Sequence, residues 1–335
     1  MVSRFASARG WNLLTPAGAL AAAWRRAASA PYVAYFCAVV AVAFLADPSS
    51  FAHSWNQGRA ATIAVVPLVL LEMGSRSLAP LGDGREAAKG WLTVAFAGAY
   101  YVWFAQAATF ASVVALGRDL GVSPAIVQYS WVWGIDYAVT SGFLLALLSL
   151  QRGSRTVTPL IYTAGMASFL FIDVLLPENT LGPFGYVVPP VLKVVASTLD
   201  LFSPGAAASN GNVLSLQSAL GAMRLEVFWP SAGLDGMVIG LLVVLAICVK
   251  AGTGWMRGAA YMLVGVIGSF LVNALRLVLL AAYAVGNIGS PQAIQAFHSV
   301  IGELVFVPWI AGFVLVVLRR ETKPAPRSGP RPGTP

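Results

Sequence analysis

The sequence carries little charge. Asp, Glu, Lys and Arg make up 10% of its 335 residues, whereas hydrophobic types make up 58%. A globular domain has about a quarter of its residues charged, so a chain folded for water on all sides is not expected. Several apolar runs approach the roughly 20 residues that cross a bilayer as a helix. The composition therefore predicts an all-α, polytopic helical bundle in a lipid bilayer.

Cysteine and histidine are also scarce, with two of each. Cys37 and Cys248 lie inside apolar runs and form no C-x-x-C pair, which excludes a disulfide framework and a zinc site. The chain has no Walker A loop, no H-E-x-x-H and no G-x-S-x-G, so ATPase, zinc-peptidase and typical hydrolase functions have no support. We expect no metal and no cofactor.

Eight apolar segments are predicted to span the membrane: about 31–46, 60–73, 91–116, 125–150, 157–176, 233–249, 258–285 and 293–318. Most of the Lys and Arg residues fall in alternate connections, and basic residues stay on the cytoplasmic side. Both termini are therefore expected in the cytoplasm. The net charge of +8 serves this topology, and no nucleic-acid partner is expected.

The chain is expected to form one membrane domain over residues 1–318, followed by a disordered basic cytoplasmic tail over 319–335. One long external connection covers about 177–232. It holds an amphipathic piece, "VLKVVASTLDLF", and then "SNGNVLSL" and "RLEVFW", which predict a small hairpin-like cap.

Polar residues recur in the last three spans. Arg276 lies roughly 15 Å deep in the seventh span, counted at the helical rise, and Asn273 lies on the same helix face. His298 lies about one and a half turns inside the eighth span. Ser231 and Asp235 open the sixth span. Short connections make these spans neighbours, so we predict one polar pocket that opens outward.

Simpler interpretations exist for single residues. Ser231 suits the N-cap of the following helix, and His298 alone is compatible with a hydrogen-bonded packing role. Three other acids are possible structural partners of Arg276: Asp136, Asp173 and Glu303. A buried arginine is harder to dismiss, because its burial is costly and it cannot lose its charge.

Three segments appear in a fixed order: "PSAGLDGM", "NALRLVLLA" and "AFHSVIGELVFV". Together they resemble the exosortase/archaeosortase family of multi-pass membrane transpeptidases. Asn273 and Arg276 match the family's N-x-x-R segment, and His298, Gly302 and Phe306 match its H-x-x-x-G-x-x-x-F segment. "GNVLSL" is similar to the segment before the family's nucleophile. Ser231 stands where the family has Cys.

The resemblance implies an enzyme of a bacterial inner membrane with its site facing the periplasm or exterior. The implied partner is an exported protein that ends in a short motif, an apolar helix and a basic tail. Ser231, Arg276 and His298 form the expected catalytic set, supported by Asp235 and Asn273. Serine needs a positioned base, and His298 is the candidate for it. Arg276 is suited to stabilise an oxyanion.

Two other functions stay open. A non-catalytic member of the family would bind apolar helices or assist exopolysaccharide export and would keep the same polar pocket. A small-solute transporter would use Arg276 as its binding site. The polar residues cluster toward one membrane face and no inverted repeat is visible, and neither property is typical of a transporter.

Overall fold

The computed structural model describes residues 31–51, 58–64, 68, 84–124, 126–149, 157–176, 185–228 and 231–321. Helices dominate these parts of the chain, at about 80% of residues. In chain order they are α1 (Pro31–Ala46), α2 (Gly84–Phe104), α3 (Ala107–Asp119), α4 (Val132–Ser149), α5 (Thr158–Leu175), α6 (Val188–Phe202), α7 (Leu234–Ala251), α8 (Trp255–Gly286) and α9 (Pro291–Glu321). Short 3₁₀ segments cover Pro48–Phe51, Gly58–Ala64 and Gly185–Val187, and a π segment, Val127–Trp131, leads into α4.

Six described helical segments are long and apolar enough to cross a membrane, or seven if the bent pair α2–α3 forms one span. The outward faces of α8 and α9 suit lipid, since Leu263, Leu271 and Leu304 expose 61%, 60% and 67% of their surface. α1 has the bounds expected for the first span. The predicted segment 60–73 lies largely outside the described residues, and so does the tail beyond residue 321.

The segment predicted as one span over 91–116 is not a single straight helix but two helices, α2 and α3. The chain turns by 82° between α2 and α3. The corner lies at Gln106, whose extended backbone (φ −74°, ψ 132°) ends one helix direction and starts the next. No glycine or proline lies at this corner. The apolar pattern continues across it, so the sequence carries no signal that the helix breaks there.

The predicted hairpin is confirmed and gains a third strand. β1 (Ala207–Asn210), β2 (Val213–Ser218) and β3 (Gly221–Glu226) form an antiparallel meander in the order β1-β2-β3. Gly211 holds a φ of 59° at the first position of the two-residue β1–β2 turn, where a type II′ turn places glycine.

The sheet packs on one end of the bundle, called here the sheet end. Leu214 and Leu216 of β2 are buried in one apolar cluster with Val195 of α6 and with Leu277 and Leu280 of α8. α6 is amphipathic. Its inner face joins this cluster, while Lys193, Ser197 and Asp200 are exposed on its outer face.

Helices α7, α8 and α9 pack against one another, as their short connections predict. α7 ends on Gly252, which adopts the left-handed conformation (φ 66°) common after a helix C-terminus. At the end opposite the sheet, Glu321 of α9 accepts hydrogen bonds of 2.8 Å from Thr253 and Tyr261. The three helices are thereby tied together at that end. At its other end, the start of α7 lies beside the middle of α8 and the middle of α9.

Candidate functional site

Arg276 is the centre of a polar cluster near the sheet end. Its Nη2 lies 3.2 Å from Nε2 of His298 on α9. Its Nη1 lies 3.4 Å from both the backbone oxygen of Ser231 and Oδ1 of Asn273. The structure therefore brings Ser231, Asn273, Arg276 and His298 together, although they come from three segments up to 67 positions apart.

Asn273 joins two parts of this cluster. It is fully buried, and its Nδ2 donates a hydrogen bond to the carbonyl oxygen of Ala232. Its Oδ1 accepts the bond from Arg276. One amide side chain thus fixes the turn before α7 to α8 and also orients the guanidinium.

Ser231 does not cap α7. The N-cap residue is Gly233, with a φ of 96° and no side-chain capping bond, so the capping interpretation of Ser231 is wrong. Ser231 lies two positions earlier, half-buried in the turn. It contacts Arg276 through its backbone carbonyl.

Small residues let the helices approach closely here. A Cβ atom added to Gly233 would lie 2.7 Å from Cβ of Asn273, and one added to Gly236 would lie 2.7 Å from Cε1 of Phe306. A Cβ atom on Gly302 would lie 3.4 Å from Nε of Arg276. The glycines of "PSAGLDGM" and of H-x-x-x-G-x-x-x-F therefore make room for Asn273, Phe306 and Arg276.

Gly233→Ala is expected to destabilise the site turn. The substitution adds a side chain at positive φ, which costs about 1–3 kcal/mol, and it drives a methyl group into Asn273. Gly252→Ala is the matched control, because Gly252 has a φ of 66° but nothing within 4 Å of an added Cβ. We expect a larger fall in thermal midpoint for Gly233→Ala, measured in detergent. Equal falls would contradict the close packing of Gly233 on Asn273.

The contact between Arg276 and His298 defines the tautomer of the imidazole. An arginine side chain can only donate, so Nε2 of His298 accepts this bond and carries no proton. In its neutral form the ring holds its proton on Nδ1. Nε2 therefore has a free lone pair that can accept a proton, and in this structure that lone pair points at the guanidinium of Arg276.

The acids near the cluster have different roles. The Asp235 carboxylate lies close enough for its charge to act on Arg276. Asp173 accepts a hydrogen bond from Ser130, and Glu303 is exposed. Asp136 was a possible partner of Arg276, but this interpretation is wrong, because Asp136 is bound by a different arginine.

That arginine is Arg59, which comes directly before the segment 60–73 that was predicted as the second span. Arg59 is 2% exposed, and its Nε and Nη2 donate to the two oxygens of Asp136 at 2.9 and 2.8 Å. Its Nη1 donates to Ser50 at 3.1 Å and lies 3.6 Å from Asp47. An acid inside a predicted span was the one signal that a second buried cation was needed.

The two arginines differ in how fully their donors are used. Protein partners meet all three nitrogens of Arg59, so that guanidinium is suited to hold the fold together. Arg276 makes two longer bonds of 3.4 Å, and its buried Nε has no hydrogen-bond partner among the described residues. Of these two arginines, Arg276 is therefore the one whose donors are less completely used by the described protein.

The polar cluster holds no obvious place for a metal. Among the residues that the structure describes, no three His, Cys, Asp or Glu side chains are placed to bind an ion. Fold and site together define a helical membrane protein with an arginine–histidine cluster near one end of its bundle. Comparison with protein-family models, curated proteins and solved structures gave no match.

Proposed function

We propose that this protein is an exosortase-like membrane transpeptidase or peptidase that processes the C-terminal sorting signal of exported proteins. Ser231 is the nucleophile, His298 the base and Arg276 the oxyanion-stabilising group. The observation that carries the proposal is the position of Arg276. Its guanidinium contacts both His298 and the Ser231 turn, and it keeps a donor without a partner in the described structure.

The proposed topology has eight spans, with both termini in the cytoplasm of a bacterial cell and the sheet end facing the periplasm or exterior. Lys250, Arg257, Arg319 and Arg320 lie at the helix ends opposite the sheet, where the positive-inside rule expects cytoplasm. In this orientation α6 does not cross the membrane but lies on the external side of the spanning helices. Its exposed Lys193 and Asp200 are compatible with that polar location.

The proposed reaction begins with a proton transfer. Nε2 of His298 takes the proton of the Ser231 hydroxyl while Oγ bonds to the carbonyl carbon of the scissile peptide, whose oxygen becomes an oxyanion. Arg276 must leave His298 for this step, and the oxyanion is the stronger acceptor that draws it away. When the intermediate collapses, the C–N bond breaks and His298 returns the proton to the leaving amine.

The product of this first stage is an ester between Ser231 and the exported protein. An acceptor amine or water then attacks the ester carbon, His298 takes the attacking group's proton, and that proton returns to Oγ as the ester bond breaks. Asn273 acts in support by orienting Arg276. Asp235 balances the charge of Arg276 between turnovers.

The test uses a reporter library in membranes. Each reporter carries an exported domain, six randomised residues, an apolar helix of about 20 residues and an arginine-rich tail. We expect the wild-type chain to cleave a subset of reporters, and Ser231→Ala to cleave none of them. Ser197→Ala, an exposed serine on α6, is the control and should behave as wild type. Normal processing by Ser231→Ala would overturn the assignment of the nucleophile.

One observation favours the non-catalytic alternative. The bond between Ser231 and Arg276 uses the serine carbonyl, and a binding pocket needs no hydroxyl at this position. In that case Ser231→Ala would still co-purify with the reporters, and the wild-type chain would release no cleaved product.

A further inference from the structure

Among the described residues, one outer strand of the three-stranded sheet packs against a helix, and the other, whose outer side is called here the open edge, pairs with no further strand. β1 packs against α6, whereas β3 is the other outer strand of the sheet. Ala222, Arg224 and Glu226 of β3 are exposed, while Met223 and Leu225 pack toward the apolar cluster. An outer strand presents a row of backbone N–H and C=O groups to any chain that lies beside it.

The register shows which backbone groups of β3 face outward. Val227 N–H donates to the Asn212 carbonyl at 2.8 Å, so this pair is hydrogen-bonded, and in an antiparallel ladder such pairs alternate. Leu225 and Met223 therefore bond to β2 through their partners Leu214 and Leu216. The backbone groups of Ala222, Arg224 and Glu226 point away from β2. None of them is hydrogen-bonded to another residue in the part of the chain that the structure describes.

The two ends of the open edge relate to different parts of the bundle. At its first residue, a Cβ atom on Gly221 would lie 3.7 Å from Ile288 in the α8–α9 turn. At its last residue, Glu226 is five positions before Ser231, a reach of at most about 17 Å. A peptide paired with β3 would thus have one end at the side of the sheet that continues into the Ser231 turn.

We propose that the substrate's recognition segment binds as a fourth strand on the open edge of β3. This inference rests on the proposed function and names how the substrate is held. The occupant is an extended peptide, because only an extended backbone matches donors and acceptors at every second residue. Main-chain pairing aligns the peptide and delivers its scissile carbonyl to Ser231, while side-chain preferences are set by the neighbouring surface.

Arg224→Pro tests the backbone contribution. Proline removes an N–H that faces outward, and such a position on an outer strand tolerates proline. We expect processing of the selected reporters to fall about tenfold, the effect of one lost main-chain hydrogen bond, with an unchanged thermal midpoint. Arg224→Ala separates the side chain from the backbone, because it removes the side chain but keeps the N–H, and it should lower processing clearly less than Arg224→Pro. Ala222→Pro provides a second site.

Hydrogen exchange separates this inference from the proposed function. The Ser231→Ala chain is bound to reporters selected by co-purification, and the amides of Ala222, Arg224 and Glu226 should gain protection. Protection without cleavage by the wild type would support the inference and overturn the enzymatic proposal. Processing at the wild-type rate by both proline variants would overturn the inference. Amide protection that appears without reporter and rises with protein concentration would also overturn it, because it would show that β3 pairs with a second copy of the chain.

Discussion

Arg276→Ala is expected to abolish reporter processing. Removing a donor that stabilises an oxyanion lowers kcat by about 10²–10³, and this side chain also contacts His298 and the Ser231 turn. Arg276→Lys should fail as well, because one ammonium cannot replace the planar fork that meets several acceptors at once. The measurement is the initial rate of processing by membranes containing equal amounts of each variant.

The control for charge is Arg257→Ala, since Arg257 has a side chain 67% exposed at the opposite end of the bundle. It should process reporters at the wild-type rate. The Arg276 variants are expected to keep a thermal midpoint close to that of the wild type, because the bonds of Arg276 are few and long. Full activity in Arg276→Lys would show that a simple positive charge suffices and would contradict the proposed geometry.

The second large effect is expected on folding. Arg59→Ala or Asp136→Ala each leaves a buried charge without its partner, which costs about 3–5 kcal/mol. The rings of Tyr101, Phe104 and Trp133 surround the guanidinium at 4.9–5.7 Å and carry no charge. In Asp136→Ala the guanidinium keeps one acid, Asp47, at 3.6 Å, so the larger loss is expected for Arg59→Ala. We expect each single variant to show reduced expression and a strongly lowered thermal midpoint in detergent.

The double variant Arg59→Met/Asp136→Leu distinguishes charge from packing. Replacing both partners of a buried ion pair by apolar residues is often neutral for stability, so the double variant should recover much of the loss. Arg118→Ala, at an exposed arginine on α3, should leave the midpoint unchanged. Single variants as stable as the wild type would contradict a structural role for the Arg59–Asp136 pair.

Hydropathy predicted the bounds of a helix well where contact with lipid is the main constraint on the sequence. α1 and α5 have the expected bounds almost to the residue, because a spanning segment must be both helical and apolar. The corner at Gln106 was missed for a related reason. Helix α3 continues the apolar run of α2, and hydropathy contains no information about direction.

The polar residues divide in a similar way. Arg276, Asn273 and His298 could be grouped from the sequence because short connections make α7, α8 and α9 neighbours and helix geometry fixes their depth. The pair of Arg59 and Asp136 could not, since 77 positions separate them and no short connection joins their elements. The sequence pattern also did not predict that Ser231 lies in a turn before α7 without capping it, because Gly233 takes the N-cap position through its backbone conformation.

The most direct test of the catalytic account is the covalent state of Ser231 during turnover. Membranes mixed with a selected reporter are quenched in acid, and the peptide that contains Ser231 is analysed by mass spectrometry. The account predicts that this peptide carries the upstream fragment of the reporter as an ester in the wild type, and that the ester is absent in His298→Ala. Rapid cleavage with an unmodified Ser231 peptide would contradict it.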